Sequence, residues 1–307
     1  MRCHRCGEEA IFEIRANGNH LCEKHFLSRV ERRAKKTIRH NKLLASEDHV
    51  MVALSGGKDS STCLSILSGI IGANPKTKLS AISIVEGIEG KDLGPAIKFC
   101  ERLSIDHQIV SFKEHFGFSI DDAAPIARED GVLACSICGV LKRRVINDKA
   151  KELGVSKVAT GHNLDDELQA AFMNFVRGDL PRMARLSAEV GIAPHPGFVP
   201  RIKPLRDVPE AEVTLYARIL DLPHIKSICP YSGTSYRTTA KKLLDELESR
   251  HPGSKEQMNS SVIALVEIMR ERQKGEGPGE CISCGEPTAN ELCKTCILLA
   301  RLKDAGN

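Results

Sequence analysis

The chain has 307 residues, 41% of them hydrophobic, with a formal net charge of +4, enough for one large core with appendages or for two domains. Aromatics make up 4% and tryptophan is absent, which argues against extensive aromatic stacking of bases as its mode of nucleic-acid binding. The opening Met1-Arg2-Cys3-His4 carries no apolar signal core and no run reaches the roughly 18 apolar residues of a membrane span, so a cytoplasmic location without a membrane partner is expected.

Twelve cysteines in a reducing compartment point to metals or redox chemistry before structural disulfides. The first set is Cys3-x2-Cys6-x15-Cys22-x2-His25. Two close pairs of soft ligands suit a closed, tetrahedral, structural zinc site, whose metal supplies the folding free energy of so short a segment. Only His25 completes the paired spacing, although His4 and His20 lie nearby. Residues 1–27 therefore read as a zinc module and 28–47 as a basic linker helix. Phe26, Val30, Ala34, Ile38 and Leu43 fall near one face of a helix over 26–46. Arg29, Arg32, Arg33, Lys35, Lys36, Arg39 and Lys42 occupy the rest, as a solvated face or as contacts to phosphate.

Residues 48–206 alternate strand and helix. Strands are expected at 50–54, 79–85, 107–111 and 156–160, and helices at 59–70, 92–103, 139–153 and 164–176. Apolar strands separated by helices predict an α/β fold with a parallel sheet covered on both faces. Ligands then sit beyond the carboxyl ends of the strands. The heptad Ser55-Gly56-Gly57-Lys58-Asp59-Ser60-Ser61 lies at that edge, between a buried strand and a helix start. Backbone N–H groups there make a phosphate cradle, which glycines let an anion approach closely and at φ > 0. Ser60 and Ser61 add hydroxyls and Lys58 a point charge. Asp59 repels a phosphate unless a cation lies between them, which points to Mg²⁺. The spacing is not that of a Walker loop.

Thr160 to Glu167 (TGHNLDDE) lies at the same edge. Residues 178–206 carry five prolines and read as an irregular connection, 207–275 as a helical extension, and 275–279 as a linker. A second zinc module is expected over 278–307, with Cys281-x2-Cys284-x8-Cys293-x2-Cys296 as ligands. A third set, Cys135-x2-Cys138 with distant Cys229, has three members. It fits three irons of a [4Fe–4S] cluster with the fourth open, a redox pair, or an incomplete zinc site, and spacing leaves these near parity. Cys63 and Cys100 fall on apolar helix faces and read as core.

The heptad resembles the signature of the PP-loop ATP pyrophosphatases. Together with CSICGVLKRR (135–144), TGHNLDDE (160–167), ICPY (228–231) and a cysteine module at each end, it resembles the tRNA 2-thiouridine synthetase family that includes TtuA and the archaeal and eukaryotic wobble-uridine thiolation proteins, over essentially the whole chain. The resemblance implies a PP-loop (Rossmann-like) catalytic domain over 48–206 between the zinc modules, with Cys229 supplied by the helical extension. It implies that Cys135, Cys138 and Cys229 ligate an oxygen-sensitive [4Fe–4S] cluster. Ser55, Gly56, Gly57, Asp59 and Ser60 would bind ATP and magnesium, with Lys58 and Lys142 beside them. Ala53 and the strand end near Ile84 would contact adenosine through backbone, and Gly161 would pack against the nucleotide. Asp59, Lys142 and Asp166 are the candidate catalytic residues. Asp165 reads as a helix cap and His162 as a hydrogen-bonded loop residue.

The implied reaction activates the uracil C2 oxygen by adenylation and then replaces it with sulfur, displacing AMP. The sulfur source is sulfide or a thiocarboxylated ubiquitin-like protein. Met173 to Asp179, with Arg182 and Arg185, is more similar to the wobble-uridine branch than to the position-54 branch. tRNA contacts are expected from residues 29–42, from Arg177 to Arg206, and from Arg237, Lys241 and Lys242. The family also implies a homodimer. The alternatives are thiolation at position 54, 2-thiocytidine synthesis, a PP-loop ligase or amidotransferase that leaves the three cysteines idle, and a tRNA-binding zinc protein with a vestigial nucleotide site.

Overall fold

A computed structural model describes the chain except for residues 73, 130, 191–194, 196, 225–228, 232–235, 273–277 and 305–307. Residues 275–277 of the expected linker thus lie outside the described residues.

The N-terminal hairpin β1 (Phe12–Ile14) and β2 (Asn19–Leu21) leads into helix α1 (Glu23–His40). The expected apolar face of α1 is buried: Phe26, Val30 and Ala34 are sealed and Ile38 nearly so. Two of its expected phosphate-contact residues are engaged inside the protein. Arg29 donates to Glu212 and Arg33 to Glu256 and to the Asp207 carbonyl. These arginines fasten α1 to the C-terminal half, so that role is corrected to a structural one.

The central layer runs β3 (His49–Ala53), α2 (Lys58–Ile71), β4 (Lys78–Val85), α3 (Gly94–Arg102), β5 (Asp106–Ser111), α4 (Phe112–Phe116), α5 (Ile120–Glu129), α6 (Ala134–Glu152), β6 (Lys157–Ala159), α7 (Leu164–Val176), α8 (Leu180–Met183), β7 (Glu189–Val190) and β8 (Arg201–Ile202). The strand order is β5-β4-β3-β6-β8-β7. All neighbours are parallel except the edge pair β7–β8. The order reverses at β3, so β3 and β6 flank the switch point where open α/β sheets bind ligands.

The expected strands and helices are present, with two differences near the site. α6 begins at Ala134, five residues before the expected start, because Ile137, Leu141 and Val145 form one buried stripe that runs through Gly139. The proline-rich connection contributes β8, which completes the sheet beside β6.

The remaining elements are α9 (Glu210–Ile219), α10 (Tyr236–Arg250), α11 (Ser254–Arg272), the short pair β9 (Gly279–Glu280) and β10 (Pro287–Thr288), and α12 (Lys294–Asp304). Packing is continuous across the expected domain limits. One buried cluster joins Cys3 and Phe26 to Val52, Leu64, Val213 and Tyr216. A second lies on the other sheet face around Met51, Ile82, Ile137 and Leu141, and Leu298, Leu299 and Leu302 of α12 pack against it. α10 and α11 pack on α7 through Leu168, Leu244 and Val262.

Candidate active site and metal centres

The buried run of β3 ends in a turn that only glycine accommodates at one position: Gly56 has φ +80. Gly57 is the extended N-cap of α2 (φ −81), so a positive φ is needed at Gly56 alone. Ser60 Oγ closes the turn by accepting from Ser55 N at 3.2 Å and donating to the Gly57 carbonyl at 3.0 Å. Ser61 is fully buried and is not a donor to a ligand, which corrects its expected role. The open N–H groups and the positive end of the α2 dipole make an anion site.

Asp59 is held from two sides. Lys58 Nζ lies 2.9 Å and Asn163 Nδ2 3.0 Å from its carboxylate. Lys58 also pairs with Glu210 at 3.0 Å, and Glu210 with Lys241. Gly161 serves this corner by its missing side chain: a Cβ there would stand 2.6 Å from Asp59 C and Ser60 N. The loop after β6 thus packs directly on the first turn of α2, a protein contact that by itself accounts for glycine.

The two expected aspartates of α7 do different work. Asp166 closes a capping box with Asn163 and pairs with Arg237 at 3.1 Å. Asp165 is buried and caps α9 rather than its own helix, accepting from Glu210 N at 2.6 Å. His162 bonds Thr160 Oγ1 at 2.8 Å, a loop contact as expected.

A cavity of about 410 Å³ opens at the carboxyl edge of the sheet. It is lined by Ser55 and Gly57 of the glycine turn, by Cys135, Cys138 and Lys142 of α6, and by Cys229. Sequence positions some 90 residues apart therefore converge. The early start of α6 puts Cys138 and Lys142 one turn apart on one face. Ala53 and Ile84 lie at the carboxyl ends of β3 and β4, with the Ile84 side chain in the core, and among the described residues they are not part of the lining. Asp59 and Asp166 also lie outside it.

Glu86, just past β4, is 1% exposed and receives Lys91 at 2.6 Å and Lys142. Burial alone would lift its carboxyl; the two ammonium groups outweigh burial and hold it below the usual range. Burial pulls Lys142 down, but Glu86 and Cys138 hold its ammonium above the ordinary value. Burial raises the thiols of Cys135 and Cys138, and Lys142 works against that rise. Glu86 and Lys91 were not singled out from the sequence, although a carboxylate directly after a buried strand is a readable signal.

Both terminal quartets are assembled: within Cys3, Cys6, Cys22 and His25, and within Cys281, Cys284, Cys293 and Cys296, all donor atoms lie within 4.8 Å of one another. Cys6 and Cys22 sulfurs are 3.6 Å apart and Cys284 and Cys293 3.7 Å. A tetrahedral ion with bonds of about 2.3 Å sets sulfurs about 3.8 Å apart. His4 bonds the His20 carbonyl at 2.9 Å, outside the quartet. Cys63 and Cys100 are core residues whose thiols burial pushes up to about 12 and about 11.

A parallel sheet with this glycine turn between β3 and α2 defines a PP-loop nucleotide-binding protein, and a PP-loop domain model (ATP_bind_3) matches residues 26–227. A model described as the N-terminal LIM domain of the 2-thiouridine synthetase TtuA matches residues 2–27. The chain is 38% identical to the tRNA 2-thiolation protein NcsA of Haloferax volcanii, over 99% of each. It is 32% identical to a tRNA-5-methyluridine(54) 2-sulfurtransferase of Pyrococcus horikoshii, over 96% of this chain and 93% of the other. The U34-tRNA thiolase NcsA of Methanococcus maripaludis, solved with its [4Fe–4S] cluster, superposes with a TM-score of 0.83 at 37% identity, covering 97% of this chain and 95% of that one. The chain belongs to the PP-loop family of tRNA 2-thiolation enzymes.

Proposed function

We propose that the chain catalyses ATP-dependent conversion of a tRNA uridine to 2-thiouridine, at wobble position 34. The observation that carries this reading is the single cavity lined by the glycine turn, three cysteines and Lys142. An ATP site and a soft-metal site that share one wall suit a reaction that activates an oxygen and then replaces it with sulfur. The 37% identity to the solved U34-tRNA thiolase, against 32% to the position-54 enzyme, favours position 34.

The donor chemistry fits a [4Fe–4S] cluster better than a single ion. Three thiols line the cavity, whereas the groups packed as tightly as one tetrahedral ion requires are the terminal quartets. Cys135, Cys138 and Cys229 would hold the cluster, which supplies a vacant iron for sulfide. Zn²⁺ in each terminal quartet would be structural, with no position left open. Mg²⁺ would be held near Asp59, where it neutralises phosphate charge.

The chain's own residues bind and orient. N–H groups at the start of α2 receive the phosphates. Uridine O2 attacks the α-phosphorus and pyrophosphate leaves; Lys142 stabilises the charge that develops there. Asn163 holds Asp59 in place. Sulfide supplied from the cysteine wall adds at C2, and AMP leaves with the former O2, without net electron transfer. The sulfur comes from free sulfide or a thiocarboxylated ubiquitin-like protein. The enzyme works as a cytoplasmic homodimer; no helix among the described residues is long and apolar enough to cross a membrane. The test is anaerobic incubation with tRNA, ATP and sulfide, followed by mass spectrometry of nucleosides and of ribonuclease fragments that retain position. 2-Thiouridine at position 34 is expected. 2-Thiocytidine alone, or no thionucleoside with iron-loaded protein, would overturn the reading.

A further inference from the structure

The segment Cys229-Pro230-Tyr231 brings the third thiol to the cavity, far in sequence from the other two. Polar and apolar contacts fasten Tyr231 to its surroundings. Cys135 Sγ donates to the Tyr231 carbonyl at 2.9 Å. Tyr231 OH donates to Asp121 Oδ1 at 2.7 Å. The half-buried ring packs on the cluster that contains Ile120 and Ile137. Asp121 stands on the first turn of α5, and its other oxygen accepts from Glu89 N at 3.0 Å. Glu89 itself lines the cavity, in the same loop as Glu86 and Lys91.

These contacts differ in one respect. A thiolate bound to iron has no proton to donate, so the contact from Cys135 ends when metal binds. The Tyr231 hydroxyl is not one of the proposed ligands, so metal binding leaves its bond to Asp121 intact. A hydrogen bond to a carboxylate is also stronger than one between neutral groups.

Resting on the reading of Cys135, Cys138 and Cys229 as one ligand set, we infer that Tyr231 is a positioning residue: its hydrogen bond to Asp121 holds Cys229 in register with the other two cysteines and ties that segment to the loop carrying Glu86 and Lys91. Preorganisation of this kind slows ligand loss more than it adds contacts.

The test uses the full chain, reconstituted anaerobically. Tyr231→Phe removes only the hydroxyl. Iron and sulfide per chain are measured, with the decay of absorbance near 400 nm under an iron chelator. The decay of Tyr231→Phe is expected to be on the order of tenfold faster, the size of one such bond. Asp121→Ala is expected to behave alike, and the double variant to decay no faster than Asp121→Ala, since the two residues act through each other. Thermal melting of the metal-free proteins separates positioning from general loss of fold. Wild-type decay for Tyr231→Phe, additive effects in the double variant, or a fall in melting temperature as large as that of Asp121→Ala would overturn the inference. Cys229→Ala is the control for the reading beneath it. If that variant keeps full iron, the three-cysteine set is wrong; if it loses iron while Tyr231→Phe does not, only the positioning role fails.

Discussion

Lys142 of α6 is ion-paired to Glu86 at the end of β4, a carboxylate 1% exposed that also holds Lys91. The pair joins the helix that carries Cys135 and Cys138 to the strand beside the PP-loop strand. The described cavity wall thus carries two lysines, Lys91 and Lys142, against two carboxylates, Glu86 and Glu89.

Glu86→Gln is expected to uncouple this arrangement. It leaves the Lys91 and Lys142 ammonium groups without their shared carboxylate, so the lysine side chains turn toward solvent. Removing one partner of a fully buried pair costs about 3–5 kcal/mol; with Lys142 partly exposed, about 1–3 kcal/mol is expected. Denaturant unfolding measures the cost. Thiolation should fall through kcat more than through KM, because Lys142 acts on charge that develops in the transition state.

Gly161→Ala and Gly57→Ala should separate packing from ligand approach. A Cβ at position 161 meets backbone of Asp59 and Ser60 at 2.6 Å, so α2 must shift. That costs about 1–3 kcal/mol, and weakens ATP binding by about tenfold or more. At position 57 the nearest atom is Ser55 Oγ at 3.5 Å and φ is ordinary. Stability should be unchanged there while ATP binding weakens. Calorimetric titration with ATP beside thermal melting checks both.

Stability should fall with acid in two steps. Burial, aided by Lys78, lowers His49; burial lowers His107, whose Nδ1 is buried without a hydrogen-bond partner. The folded state then binds fewer protons than the unfolded chain, so this stability is whole above the ordinary histidine value of 6.5 and is lost as pH drops below it. The carboxyls of Glu86 and Glu210, held low by their lysines against burial, add a second loss as pH falls below 4.5 toward their folded values. Melting from pH 8 down to about pH 3, below the ordinary carboxyl value, measures the curve. Burial and Lys203 lower His162 as well, so the double variant His49→Gln, His107→Gln should shrink the upper step and keep the lower.

Metal removal should act differently at the two ends. Cys6→Ser and Cys284→Ser are each expected to lower zinc by one per chain. The C-terminal quartet is tied to α6: Arg144 Nη1 lies 3.2 Å from Cys284 Sγ, and Asn147 Nδ2 donates to Glu286 at 2.6 Å. Cys284→Ser should therefore speed hydrogen exchange within residues 134–152, while Cys6→Ser leaves that helix unchanged.

Much of this was legible in the sequence because it is local. The alternation of apolar strands with helices, the heptad at the end of β3 and both metal quartets are short-range patterns with fixed spacing. The start of α6 was read late because Cys135 to Gly139 are poor helix formers; burial of Ile137 overrides that propensity. Arg29 and Arg33 looked like a phosphate face because their partners Glu212 and Glu256 lie about 180 and 220 residues away. Glu210, Tyr231 and the division of labour between Asp165 and Asp166 are likewise long-range facts. Only the fold brings those groups together, and no periodicity announces them.

The most direct measurement compares wild-type protein and Cys229→Ala, both reconstituted anaerobically, for iron per chain and for 2-thiouridine formed in a single turnover with ATP, sulfide and unmodified tRNA. Wild type should hold close to four irons and form the product at position 34, while the variant loses iron and forms none. Equal iron and equal product from the two proteins would contradict a reaction carried by three cysteines beside the PP-loop.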